Sequence, residues 1–338
     1  MNIFEYMNSI KSVKKILESK TIKVGKTVDG FNMMAISTDF YLNDNTIFVI
    51  LPTLYEAQMY YDSISNILPE EDVLFFPALE LLSASMISSS TDFLFERVET
   101  INGLLEGKKK IVITNLNAAL KYEMNPSVWK NSILELKKDD TYKLEDLVKR
   151  LRSMGYEMVY TVCKTGEFSR RGSIIDIFPL NSLNPVRIDF FGDDIDELKE
   201  FNFETQRSIG SIDKVTIIPV NELIYDDEAL KSAKDKIYTF MESFELSQIE
   251  KEMYERDIIK LENHDNLESL SRYLEFFDDD KKTILDFAEN KRIYMVDPVK
   301  SKEVYSRAEV DMMDYSDHLG GRSLLSLDLF YDYNREEI

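Results

Sequence analysis

Thr46-Ile-Phe-Val-Ile-Leu51 is a short apolar run without alternation. A strand with one wet face alternates apolar and polar residues. An unbroken run suits a strand covered on both faces, as in a parallel sheet between helical layers. The sequence downstream keeps to that plan. Tyr55 to Ile67 reads as a helix, and Val73-Leu-Phe-Phe76 as a second strand ended by Pro77. Ser90-Thr91-Asp92 offers N-caps for a helix from Phe93 to Leu105, which Gly107 stops. Lys110-Ile-Val-Ile-Thr114 reads as a third strand, and Lys108-Lys-Lys110 before it as a solvated turn. Strand-helix alternation of this kind predicts an α/β layer fold.

The pattern changes after Trp129. A helix over Leu144 to Met154 places Leu144, Leu147, Val148, Leu151 and Met154 on one face, and Gly155 ends it. Strands are then expected at Tyr156 to Val162, Gly172 to Phe178, Val186 to Phe191 and Ile195 to Phe201. The last two are joined by Gly192-Asp193-Asp194, a hairpin composition. From Asn221 onward the chain reads as helical and acidic. The exception is Arg292-Ile-Tyr-Met-Val-Asp297, an apolar strand expected to rejoin the first sheet. The expectation is an α/β parallel-sheet domain, begun by residues 1–133 and completed by 220–338, with an antiparallel α+β module inserted at 134–219.

Composition narrows the function. The 338 residues are 44% hydrophobic and 12% aromatic, enough for more than one core. The net charge of -21 disfavours nonspecific duplex binding, which needs clustered Lys and Arg. Residues 141–210 are nearly balanced, so only this stretch suits an acidic partner surface. The single cysteine, Cys163, excludes an internal disulfide and reads as a small buried side chain. His264 and His318 are far apart and make no metal set with it. No signal peptide or membrane-length apolar run is legible, so a cytoplasmic protein is expected.

Two nucleotide-site fragments fail on inspection. Gly25-Lys26-Thr27 resembles the end of a phosphate loop, but the first glycine of G-x-x-x-x-G-K-[ST] falls on Lys20. Val28-Asp29-Gly30, which follows, would break the helix needed to hold the anion. In Met295-Val-Asp297 the acid is followed by Pro298, where motor ATPases carry a second carboxylate. No catalytic residue, cofactor or metal site is therefore expected.

Val186 to Phe191 supplies a candidate interface. Alternation sends Val186, Ile188 and Phe190 one way and Arg187, Asp189 and Phe191 the other. Exposed Arg beside an exposed aromatic is hot-spot chemistry. The competing reading pairs Arg187 with Asp189 or Asp176 and packs Phe191 under the hairpin. Arg171 is expected in a neighbouring strand, just before Gly172.

The segment Gly166-Glu-Phe-Ser-Arg-Arg-Gly-Ser-Ile-Ile-Asp-Ile-Phe-Pro179 continues through Pro185-Val-Arg-Ile-Asp-Phe-Phe-Gly-Asp-Asp-Ile-Asp196 to Phe203-Glu-Thr-Gln-Arg-Ser208. It resembles the module shared by the excision-repair protein UvrB and the transcription-repair coupling factor (Mfd) family. Pro52-Thr-Leu-Tyr-Glu-Ala-Gln58, Phe76-Pro-Ala-Leu-Glu-Leu-Leu82 and Ile284-Leu-Asp-Phe287 extend the resemblance to the flanks. The stretch from Phe76 to Glu96 is short and lacks the paired tyrosines of UvrB's DNA-clamping hairpin, which favours the coupling-factor side. The resemblance implies a degenerate RecA/helicase-like domain, with Lys26 and Asp297 in its retired nucleotide site. It also implies that the inserted module docks on the excision-repair protein UvrA through Arg171, Arg187 and Phe191, with Arg170 and Arg207 as weaker candidates. RNA polymerase and DNA would be met by regions that do not fit in 338 residues, so the chain is expected to be a piece of a longer protein. The rival expectations are an active nucleotide hydrolase, a damage verifier of the UvrB type and a purely autoinhibitory module.

Overall fold

The computed structural model describes residues 2–25, 27–78, 91–265, 270, 273–280 and 282–318. The chain opens with helices α1 (Ile3–Ser9), α2 (Lys11–Glu18) and α3 (Asp29–Leu42), then strand β1 (Thr46–Leu51). Helix α4 (Leu54–Ser65), strand β2 (Val73–Phe76), helix α5 (Thr91–Leu105) and strand β3 (Ile111–Asn115) follow. Helix α6 (Leu116–Leu120), strand β4 (Tyr122–Glu123) and helix α7 (Pro126–Ser132) complete the first stretch. Ser90 lies outside the described residues.

The middle of the chain holds β5 (Leu134–Lys137), α8 (Leu144–Ser153), β6 (Glu157–Met158), β7 (Glu167–Arg171) and β8 (Ile174–Ile177). It continues through β9 (Val186–Phe191), β10 (Asp194–Phe201), β11 (Ser208–Ser211) and β12 (Lys214–Ile217). Last come α9 (Asp227–Glu242), α10 (Gln248–Asn263), α11 (Leu274–Phe277), β13 (Lys282–Thr283), β14 (Lys291–Met295) and α12 (Pro298–His318).

The first sheet is parallel, in the order β14-β1-β3-β2. Every residue of β1 is buried, because the strand is covered on both faces. Ile47, Val49 and Leu51 pack with Ile36 and Phe40 of α3 and Tyr60 and Ile64 of α4. Phe48 turns the other way, into a core with Val98 and Ile101 of α5, Trp129 of α7 and side chains of α9 and α10. Strand β14 enters long after β3 in the sequence and adds in parallel register beside β1, from Thr46 opposite Lys291 to Ile50 opposite Met295. The mixed α/β architecture matches the sequence expectation.

The second sheet has the order β11-β10-β9-β8-β7-β6 and is antiparallel except for its β6–β7 edge. Its inner face packs on Leu147 and Leu151 of α8. The chain enters along β5 and leaves along β12, and these two strands pair with each other, Leu134 opposite Ile217 and Lys137 opposite Lys214. Two expected strands are corrected. Only Glu157 and Met158 of the Tyr156-to-Val162 run join the ladder, because Val162 instead packs on Phe178 and Phe201. The strand expected from Gly172 begins at Ile174, since Gly172 takes a left-handed turn conformation, φ 63°. Cys163 is exposed rather than buried, because its segment lies outside the ladder.

Where the chain returns from β12, charge is buried. Arg97 of α5 donates to Glu222, to Glu123 at 2.6 Å and to the Pro77 carbonyl at 2.8 Å, and its guanidinium lies 4.2 Å over the Phe76 ring. Lys121 Nζ reaches the second Glu222 oxygen at 2.7 Å. Burial raises the Glu123 carboxyl to about 7, helped by the Glu222 charge. Burial also pushes Glu222 upward, but Arg97 and Lys121 together outweigh it and hold that carboxyl below its usual range.

Candidate partner-binding face

The face of the second sheet turned away from α8 carries Ser169, Arg171, Asp176, Arg187 and Phe191. The inward set, including Ile175, Val186, Ile188 and Phe190, is buried as the alternation requires. Asp176 is 1% exposed, in register with Ser169 on one side and Arg187 on the other. Arg187 donates from Nε to Asp176 Oδ1 at 2.7 Å and from Nη2 to Oδ2 at 2.9 Å. Arg171 donates to the same Oδ2. The Arg187 guanidinium also lies over the Phe201 ring, 4.8 Å from its centroid. The hydrogen bonds to Asp176 raise the Arg187 pKa further, against the opposing effect of burial.

These side chains differ in what they leave open. The Arg187 side chain is 21% exposed and that of Arg171 is 48% exposed. Phe191 is 81% exposed and does not tuck under the hairpin. Of the competing sequence reading, the Arg187–Asp176 pair is present and the packed Phe191 is not. Arg171 precedes the Gly172-Ser173 turn and Phe191 precedes the Gly192-Asp193 turn. The two turns lie side by side, since the Phe190 N–H donates to the Ser173 carbonyl at 3.0 Å. Both glycines have positive φ, 63° and 68°.

The weaker candidates fall elsewhere. Arg170 stands opposite Ile175, on the α8 side of the sheet, and holds Glu145 at 2.6 and 3.0 Å. Arg207 is exposed at the other end, in the turn between β10 and β11. The structure therefore joins Arg171 and Arg187 through Asp176, leaves Phe191 exposed on the same face nearer the turn, and leaves Arg170 and Arg207 apart. Sequence reading named Asp176 only as an alternative partner and missed Phe201. The available signal was hairpin register: a carboxylate between Ile175 and Ile177 must face the arginine side.

Lys26 lies outside the described residues. Gly25 and Thr27 sit between α2 and α3, so a helix precedes them where a phosphate loop would come off a strand. Asp297 is exposed, has φ 48°, and accepts the Lys300 N–H at 3.1 Å, which makes it a cap for α12. Among the described residues no cluster of His, Cys, Asp and Glu is arranged to hold a metal, and no helix is long and apolar enough to cross a membrane.

Residues 134–223 match the family described as the UvrB interaction domain. The chain is 32% identical over 262 residues to the transcription-repair-coupling factor of Bacillus subtilis (strain 168), covering 75% of this chain and 22% of that protein. It is 27% identical over 268 residues to the transcription-repair-coupling factor of Staphylococcus aureus (strain bovine RF122 / ET3-1), covering 78% of this chain and 23% of that one. The chain thus spans under a quarter of the length of the curated relatives it matches. A segment that matches the UvrB interaction domain, carried with a parallel α/β layer, makes this chain similar to the transcription-repair-coupling factors.

Proposed function

We propose that this chain is the recruiting part of a transcription-repair coupling protein, docking on the excision-repair protein UvrA through Arg171, Arg187 and Phe191 and performing no catalysis itself. The observation that carries the reading is Phe191, 81% exposed on the sheet face where two arginines share Asp176. Exposed aromatic and guanidinium groups on one face are what a protein interface concentrates. The placement also suits recruitment. The incoming strand β5 runs outward from Leu134, and the Tyr142 N–H beyond it donates to the Asp193 carbonyl at 2.7 Å. Phe191 therefore sits at the far end of the module, away from the parallel sheet.

The same reading treats 134–219 as one module and 1–133 with 220–338 as the domain that carries it. The β5–β12 pairing supports this by holding the module's two ends together. Retirement of the nucleotide site is supported by Lys20 in place of a glycine, by the helix before Gly25, and by Asp297 serving as a cap. RNA polymerase, DNA and ATP-driven translocation would belong to the remainder of a full-length relative. The test is titration of UvrA with the full chain and with Phe191→Ala. Truncating a hot spot costs about 2 kcal/mol, or ~25-fold in affinity. Unchanged binding would place the interface elsewhere.

A further inference from the structure

We infer that Asp176 is a positioning residue for docking, which touches no partner yet makes Arg171 and Arg187 present themselves as one unit. This rests on the docking reading above and adds to it the chemistry the partner must offer. Asp176 is sealed, with a side chain 1% exposed, so a partner cannot reach its oxygens. Those oxygens take the Nε and Nη2 edge of Arg187 and one terminal nitrogen of Arg171. With Phe201 beneath, the Arg187 guanidinium is fixed in plane and height. Among the described residues, Arg187 Nη1 and the other donors of Arg171 make no hydrogen bond or ion pair. Two cations share one carboxylate as acceptor, while Asp189 on the same face acts on Arg187 without a hydrogen bond. The face thus offers fixed, spare N–H donors and, nearer the turn, an exposed Phe191. Its complement is a carboxylate next to an apolar recess, and a lysine in place of Arg187 would lack the planar fork the arrangement needs.

The sign of one substitution decides the matter. If the face binds through net charge alone, Asp176→Asn removes an anion from between two arginines, and UvrA should bind as well or better. If Asp176 positions the arginines, Asp176→Asn should bind about tenfold more weakly, a size common for directly coupled neighbours. The experiment titrates UvrA against the full chain carrying Asp176→Asn, alone and in the Arg187→Ala background, with Phe191→Ala as control. The expected result is a loss that shrinks to about twofold or less once Arg187 is gone. A loss of the same factor in both backgrounds would mark Asp176 as merely structural and overturn the inference. Normal or tighter binding by Asp176→Asn, with Phe191→Ala weakened, would overturn it and leave docking standing. Normal binding by Phe191→Ala would sink the docking reading itself. A second cycle leaves Asp176 intact, in case Asp176→Asn does not fold. The losses for Arg171→Ala and Arg187→Ala should then be non-additive, and additivity within about twofold would refute the shared unit.

Discussion

Arg97 donates to Glu123 across 2.6 Å, and neither side chain is more than 5% exposed. The same guanidinium holds Glu222, which lies just past the end of β12 on the returning chain. Arg97→Ala would strand two buried carboxylates with Lys121 as their remaining neighbour. Breaking a buried pair from one side costs about 3–5 kcal/mol. Denaturant unfolding should show a loss of that size, and a loss under about 1 kcal/mol would mean that water reaches the site readily.

Glu123 gives that network a pH signature. Its folded pKa is about 7, raised above the unfolded value by burial, so the folded state binds the extra proton. Stability from this group is therefore full below the usual carboxylate range and is lost as pH rises through about 7. Glu222 works in the opposite sense and loses its contribution only in strong acid, because its carboxyl is held low. Glu123→Gln should remove the first effect. The melting temperature of the variant relative to the unmodified chain should rise between pH 5 and pH 8, and a flat difference would contradict the assignment.

Strand β9 separates fold from surface within a few residues. Ile188 is fully buried and Phe191 largely exposed. Ile188→Asp places an unpaired carboxylate in the module core and should unfold it. Phe191→Asp should melt like the unmodified chain. Circular dichroism melts of the two variants check this, and an early melt for Phe191→Asp would make that ring structural.

Gly155 is held by a close crossing. It has φ 90°, and a Cβ there would lie 2.5 Å from Asn221 Cβ. The Val220 N–H also donates to the Met154 carbonyl at 2.9 Å, so the returning chain cannot easily move away. Gly155→Ala should destabilise by more than about 1 kcal/mol, from the positive φ and the clash together. Equal denaturation midpoints for the variant and the unmodified chain would show that the crossing yields.

ATP should leave the melting curve unchanged. A ligand at a hundred times its Kd adds about 2.7 kcal/mol to the folded state, a shift that is easily seen. A rise in melting temperature with ATP that Asp297→Ala abolishes would revive the nucleotide site.

The parallel sheet was legible because β1 is covered on both faces and its sequence shows that directly. Strand β14 was legible from its short apolar stretch Ile293-Tyr294-Met295, although it is a half-buried edge strand and its partner lies far away in sequence. The segment 159–162 was misread because its apolar residues serve a small cluster on the outer face, and a residue pattern does not say which surface it covers. Alternation placed Arg187 and Phe191 on one face. The sharing of Asp176 between two arginines depends on hairpin register and on rotamers, which composition does not encode. Arg170, the weaker candidate, adjoins Arg171 in sequence, yet a shift of one residue in a strand reverses the face.

The pairing of β5 with β12 has a consequence for how the chain assembles. To the parallel layer, the long excursion between Lys137 and Lys214 enters and leaves through adjacent strands, roughly 4.8 Å apart. Once that ladder closes, its loop-closure entropy is already spent, and further length inside the excursion adds only about 0.6 kcal/mol per doubling. Such a port tolerates exchange, so another module whose ends lie one strand spacing apart could be grafted there without redesigning the sheet beneath.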